Sequence, residues 1–234
     1  NGKLFIAEYN GNRISVYDSL PSSATQKPDW SLMADNILDY PLIDDFIIQN
    51  PVPESDGGIF IVTSGFDRSL SVWKKHPGSN GAKPDMVFRR FDDQPWDNTF
   101  NNKALFIAGR NKVFGWYDFE KTIESGNYSF DINTSEIGSI SLNSIKGIAY
   151  NGTYFAIGTT EKKIYIWEGI PAITDEPKYT LSSPVGVGRM DMNNDWLVFS
   201  PSPSSGQSVH AIKLSELAGE VFRPVPGYSD FPQG

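Results

Sequence analysis

Apolar runs of about four residues, each closed by a polar turn, recur along the chain, and no helical period of useful length interrupts them. Five runs share one form: ISVY (Ile14 to Tyr17), LSVW (Leu70 to Trp73), VFGW (Val113 to Trp116), IYIW (Ile164 to Trp167) and VHAI (Val209 to Ile212). Their last residues, Tyr17, Trp73, Trp116, Trp167 and Ile212, are spaced 56, 43, 51 and 45 apart. A second run precedes each: LFIA (Leu4 to Ala7), IFIV (Ile59 to Val62), LFIA (Leu105 to Ala108), YFAI (Tyr154 to Ile157) and LVFS (Leu197 to Ser200). Each pair reads as a hairpin. Asn10-Gly11 supplies the positive φ that a tight turn needs, and Gly65 with Asp67 does the same in the second copy.

An outer strand follows each aromatic run, at KPDWSL (Lys27 to Leu32), KPDMVF (Lys83 to Phe88), NYSFDI (Asn127 to Ile132), EPKYTL (Glu176 to Leu181) and EVFRPV (Glu220 to Val225). Proline cannot donate to a sheet ladder, so a leading Pro belongs at the first residue of an edge strand. From the second copy on, an inner strand also fits: DDFIIQ (Asp44 to Gln49), WDNTF (Trp96 to Phe100), KGIAY (Lys146 to Tyr150) and GRMDM (Gly188 to Met192). Four strands in a repeat of about 49 residues predict an all-β fold, a β-propeller of four-stranded blades. About five blades are expected, over 1–36, 39–92, 94–133, 143–183 and 186–226, as one domain over 1–234. Residue 1 enters at the second strand of a blade, and the tail Gly227 to Gly234 is a poor closing strand. The expectation is therefore a portion of a longer chain with a ring of six blades or so, with a closed five-blade ring completed by that tail as the alternative.

The stretches YNGNRISVYD (Tyr9 to Asp18), GFDRSLSVWK (Gly65 to Lys74), GRNKVFGWYD (Gly109 to Asp118) and TTEKKIYIWE (Thr159 to Glu168) resemble NHL-type propeller repeats. In that family an inner strand ends near a Gly/Asn turn, followed by a basic residue and an apolar strand with an aromatic. The resemblance implies the propeller fold over most of the chain. The fifth copy departs from the motif at Ser208-Val209-His210-Ala211-Ile212 and is placed by position. A WD-type repeat would carry a Gly-His pair and a Trp-Asp dipeptide in each blade, and neither recurs.

Composition narrows the partners. With 39% hydrophobic residues, 13% aromatics, 21 Gly and 16 Pro, the chain suits one core with many short strands. Net charge is -8 and Lys and Arg are dispersed, which argues against a nucleic-acid footprint and a basic membrane patch. No apolar window is long enough to insert in a membrane, and the first residues lack the regions of a signal peptide. There is no cysteine, and the sequons at Asn127, Asn133 and Asn151 are as many as chance supplies in so Asn-, Ser- and Thr-rich a chain. A secreted or extracytoplasmic setting is the lean.

Propeller sites lie at the channel mouth, where inner strands and their loops converge. The candidates there are Asp44, Asp45, Asp97, Asn98, Lys146, Arg189 and Asp191. Carboxylates from three blades, Asp45, Asp97 and Asp191, could hold Ca²⁺, which takes six to eight oxygens. The plainer expectation is polar strand ends pairing with Lys146 and Arg189, with no cofactor. His76 and His210 are isolated and cannot form a typical zinc site; zinc lyases of the NHL-like kind need more histidine. Arg13, Arg68, Lys112 and Lys163 read as solvated turn positions, and Trp73, Trp116 and Trp167 as packing between blades. No catalytic residue is predicted. The expectation is a non-enzymatic propeller that binds a protein or glycan through loops on one face, with a Ca²⁺-dependent hydrolase resembling gluconolactonase-type propellers as the alternative.

Overall fold

The computed structural model describes residues 4–7, 13–23, 25–33, 51–56, 58–65, 68–79, 82–88, 91–202 and 208–225. The fold is an all-β propeller of five antiparallel blades, each running from an inner to an outer strand in chain order. Two compact units divide the chain, Asn1–Pro95 and Trp96–Gly234.

The first unit holds two blades. Strands β1 (Leu4–Ala7), β2 (Arg13–Tyr17) and β3 (Trp30–Met33) form the first, three-stranded among the described residues. The second contains β4 (Pro51–Asp56), β5 (Ile59–Ser64), β6 (Ser69–Trp73) and β7 (Met86–Phe88). Ile14, Val16, Trp30, Leu32, Phe60, Val62 and Trp73 share one buried cluster. The inner strand expected at Asp44 to Gln49 lies outside the described residues; the strand paired with β5 is PVPESD. Pro51 and Pro53 alternate, so both missing donors fall on one side of β4, and an innermost edge tolerates that.

The second unit holds three blades. The first of them is β8 (Asp97–Asn101), β9 (Ala104–Ala108), β10 (Val113–Trp116) and β11 (Ile132–Thr134). A hairpin of β12 (Glu136–Ile137) and β13 (Ile140–Ser141) leads to β14 (Ile145–Tyr150), β15 (Tyr154–Thr159), β16 (Lys163–Glu168) and β17 (Tyr179–Ser182). The last blade is β18 (Val187–Met192), β19 (Trp196–Pro201), β20 (His210–Lys213) and β21 (Arg223–Pro224), with a 3₁₀ turn at Leu214–Gly219. One apolar cluster joins the first two of these blades through Phe106, Ile148, Phe155 and Trp167. Another joins the last two through Ala156, Ile166, Met190 and Phe199.

Two sequence expectations need correction here. A helix, α1 (Phe119–Ser125), follows β10, where no helix was expected. Asp118 caps it by accepting the Lys121 N–H at 3.0 Å, and Gly126 ends it at φ 67°. Phe119 of α1 packs at 5.0 Å from the Trp116 ring and edge-on to Phe100 at 5.8 Å. With α1 in the connection, the outer strand begins at Ile132, at the end of the predicted NYSFDI rather than across it.

The aromatic column is a packing feature. Trp73, Trp116 and Trp167 are buried, and the indoles of Trp73 and Trp167 donate to loop carbonyls of Ala82 (3.1 Å) and Asp175 (3.0 Å). Tyr17 does the same toward Gln26 at 3.3 Å. The residue after each aromatic is anchored too: N–H groups of Asp18, Lys74 and Tyr117 donate to the carboxylates of Asp29, Asp85 and Asp131 at 2.7 to 2.8 Å. These aspartates stand just before the outer strands. The leading Pro of KPD therefore precedes the strand by two residues instead of opening it. In the next blade the corresponding positions are Glu168 and Lys178, which form an exposed ion pair instead.

Candidate functional site

Inner strands β8 and β14 run in the same direction, because contacts advance together from Asp97–Ile148 to Thr99–Tyr150. Side chains alternate along a strand, so Asp97, Thr99 and Asn101 share the side of β8 that meets β14. Thr99 Oγ1 accepts the Tyr150 N–H at 3.1 Å, and Asn101 Nδ2 donates to the Tyr150 carbonyl at 3.2 Å. Asp97 goes further. Its Oδ2 accepts the Ile148 N–H at 3.0 Å and the Met190 N–H at 2.9 Å, so one carboxyl ties β8 to β14 and to β18.

That reach requires three inner strands in close approach. Gly147 provides it: a Cβ there would run into the Gly188 carbonyl and the Met190 side chain. Burial drives the Asp97 carboxyl up from 3.8 to about 7, against the lowering effects of the nearby Arg189 charge and of the N–H groups of Met190, Ile148 and Asn98. Protonated, the carboxyl keeps Oδ2 as an acceptor and gains a donor on Oδ1.

Asn98, next along β8, is buried. The Arg189 charge acts on Asp97, and the Arg189 backbone N–H donates to Ser200 Oγ at 3.0 Å. Among the described residues Lys146 has no carboxylate partner. Its ammonium lies over the Trp96 ring, and burial together with the Arg110 charge lowers it to about 8. Asp191 is exposed, and its carboxylate accepts the N–H of its neighbour Met192 at 2.7 Å. Asp44 and Asp45 lie outside the described residues.

Of the expected calcium set, Asp45 lies outside the described residues and the other two carboxylates differ in setting. Asp97 is enclosed with its Oδ2 occupied by two amides, Asp191 faces solvent, and among the described residues no three His, Asp or Glu side chains gather. The histidines are packed against rings: His76 beside Phe5 and Phe60, His210 stacked on Phe199 at 5.6 Å. Burial lowers the His210 pKa.

What the sequence reading omitted is Trp96 and Arg110. Trp96 immediately precedes β8, and Arg110 occupies the Gly109-to-Lys112 turn closing β9 to β10. In an up-and-down blade that turn lies at the end where the inner strand starts, so both stand with Lys146 at one rim of the second unit. The available signal was Arg110 inside GRNK, two residues ahead of the basic position that the repeat repeats.

The sequence matches no family model and no curated protein.

Proposed function

We propose that this chain is a non-enzymatic propeller of the NHL type, a rigid scaffold that binds a protein or glycan through loops on one face. The observation that supports it most is Asp97. A carboxyl with a pKa near neutrality would suit general acid–base work, but here it is enclosed and bonded to backbone amides of two other blades. Its environment is that of a structural tie. Both histidines are likewise held against aromatic rings.

The same perturbed carboxyl is what favours the alternative, a Ca²⁺-dependent lactonase-like hydrolase. Hydrolysis of phenyl acetate and of a δ-lactone, with Ca²⁺ and with chelator, separates the two readings. A scaffold gives buffer-level rates under both conditions and no calcium-dependent melting shift. Turnover that needs Ca²⁺ and disappears in a folded Asp97→Asn variant would overturn it. A glycan array, run beside crosslinking to cell-surface proteins, then decides the partner class.

A further inference from the structure

Lys146, at the start of β14, and Arg110, in the turn from β9 to β10, come from different blades and stand at the same rim, close enough for the guanidinium to disfavour the Lys146 charge. Neither has an acidic partner among the described residues. On a chain of net charge -8, two neighbouring cations run against the prevailing field. The ring beneath the Lys146 ammonium is Trp96, whose Nε1 is buried without a hydrogen-bond acceptor among the described residues. A planar cation on an exposed turn and a half-buried ammonium at one rim are both donors, and the described residues supply neither with a carboxylate.

We propose that the start of the inner strands in the second unit is a binding site for an anionic group, a carboxylate or a phosphate borne by the ligand, held between Lys146 and Arg110 against the Trp96 indole. Arg110 offers the fork that pairs with two oxygens of either group. Lys146 contributes a point charge, and a bound anion favours its protonated form. The Trp96 ring adds an apolar wall, as a sugar ring or an acidic side chain would require. This site deepens the scaffold reading by naming the ligand's chemistry and rests on that reading for its biological use, whereas its test needs neither the natural partner nor a hydrolysis assay.

The test is an NMR titration of the whole ¹⁵N-labelled chain, following the indole resonance of Trp96, assigned with Trp96→Phe. Inorganic phosphate and glucuronate are the probes, each against NaCl at equal ionic strength. The expected result is a saturable shift of the Trp96 indole with one probe or both, weakened about tenfold by Arg110→Ala or by Lys146→Ala. Arg110 is exposed, so its variant keeps the fold, checked by the other indole resonances. A shift with phosphate alone assigns a phosphorylated ligand, with glucuronate alone a carboxylate ligand, and with both a shared anion site. Affinity should also fall as pH rises past about 8, where Lys146 loses its proton. No saturable shift with either probe, or an unchanged affinity in Arg110→Ala, overturns the proposal, and either result leaves the scaffold reading standing.

Discussion

Asp97 carries two opposing demands on one side chain. Its Oδ2 is needed as an acceptor by the Ile148 and Met190 amides, while burial penalises its charge. Asp97→Ala leaves both amides buried without that acceptor and should cost about 2 to 5 kcal/mol, read from urea midpoints. Asp97→Asn keeps an acceptor oxygen and should cost less. The pH dependence has an unusual sign for an aspartate. Folded, the group holds its proton to about pH 7; unfolded, it releases it near 3.8, so between those values the native state binds more protons. Its contribution to stability is full below that window, declines as pH rises through it, and levels off above it. Denaturant midpoints across the window should show this slope in the wild type and its loss in Asp97→Asn. Gly115 is constrained by volume: a Cβ there would overlap the Phe106 ring and lie 2.7 Å from Ile132 Cγ2. Gly115→Ala should destabilise by about 1 to 3 kcal/mol in a thermal melt, although VFGW would look more regular with a larger residue.

At the level of elements, the strands most legible in the sequence were those with buried faces on both sides. β5, β9 and β10 are buried at every position, and their places follow from their apolar runs. The outer strand β11 was harder to place, since its position depends on how many residues α1 takes up. Asp118 and Gly126 do bracket α1 as cap residues, with Phe119, Thr122 and Ile123 on its buried side, but seven residues are too few for a period to stand out. Asp118→Ala should cost about 1 kcal/mol by removing the Lys121 N–H acceptor, measurable in the chemical denaturation midpoint. The strand β4 gives little sign of itself, because PVPESD carries two prolines and little apolar character. Asp97, Lys146 and Arg189 were found as inner-strand polar residues, but which of them meet depends on side-chain direction across three blades. Spacing in one chain does not encode that. Trp96 and Arg110 escaped notice for the same reason.

For the larger unit as a whole, two apolar clusters and the Asp97 tie all draw on residues after Pro95. A fragment of residues 96–234 should therefore melt cooperatively and keep the near-ultraviolet signal of its packed tryptophans; a gradual, featureless transition would show that its blades need more of the chain. The Asp97 tie also bears on how the chain is made. Its two amide donors follow it by 51 and 93 residues. A nascent chain therefore displays this carboxyl to water, ionised, while the next blade and then β18 are still being synthesised. At ribosomal speeds of about 5 to 20 residues per second that interval lasts several seconds. Burial raises the pKa of the carboxyl to about 7, so its affinity for a proton climbs as the later blades close over it during translation.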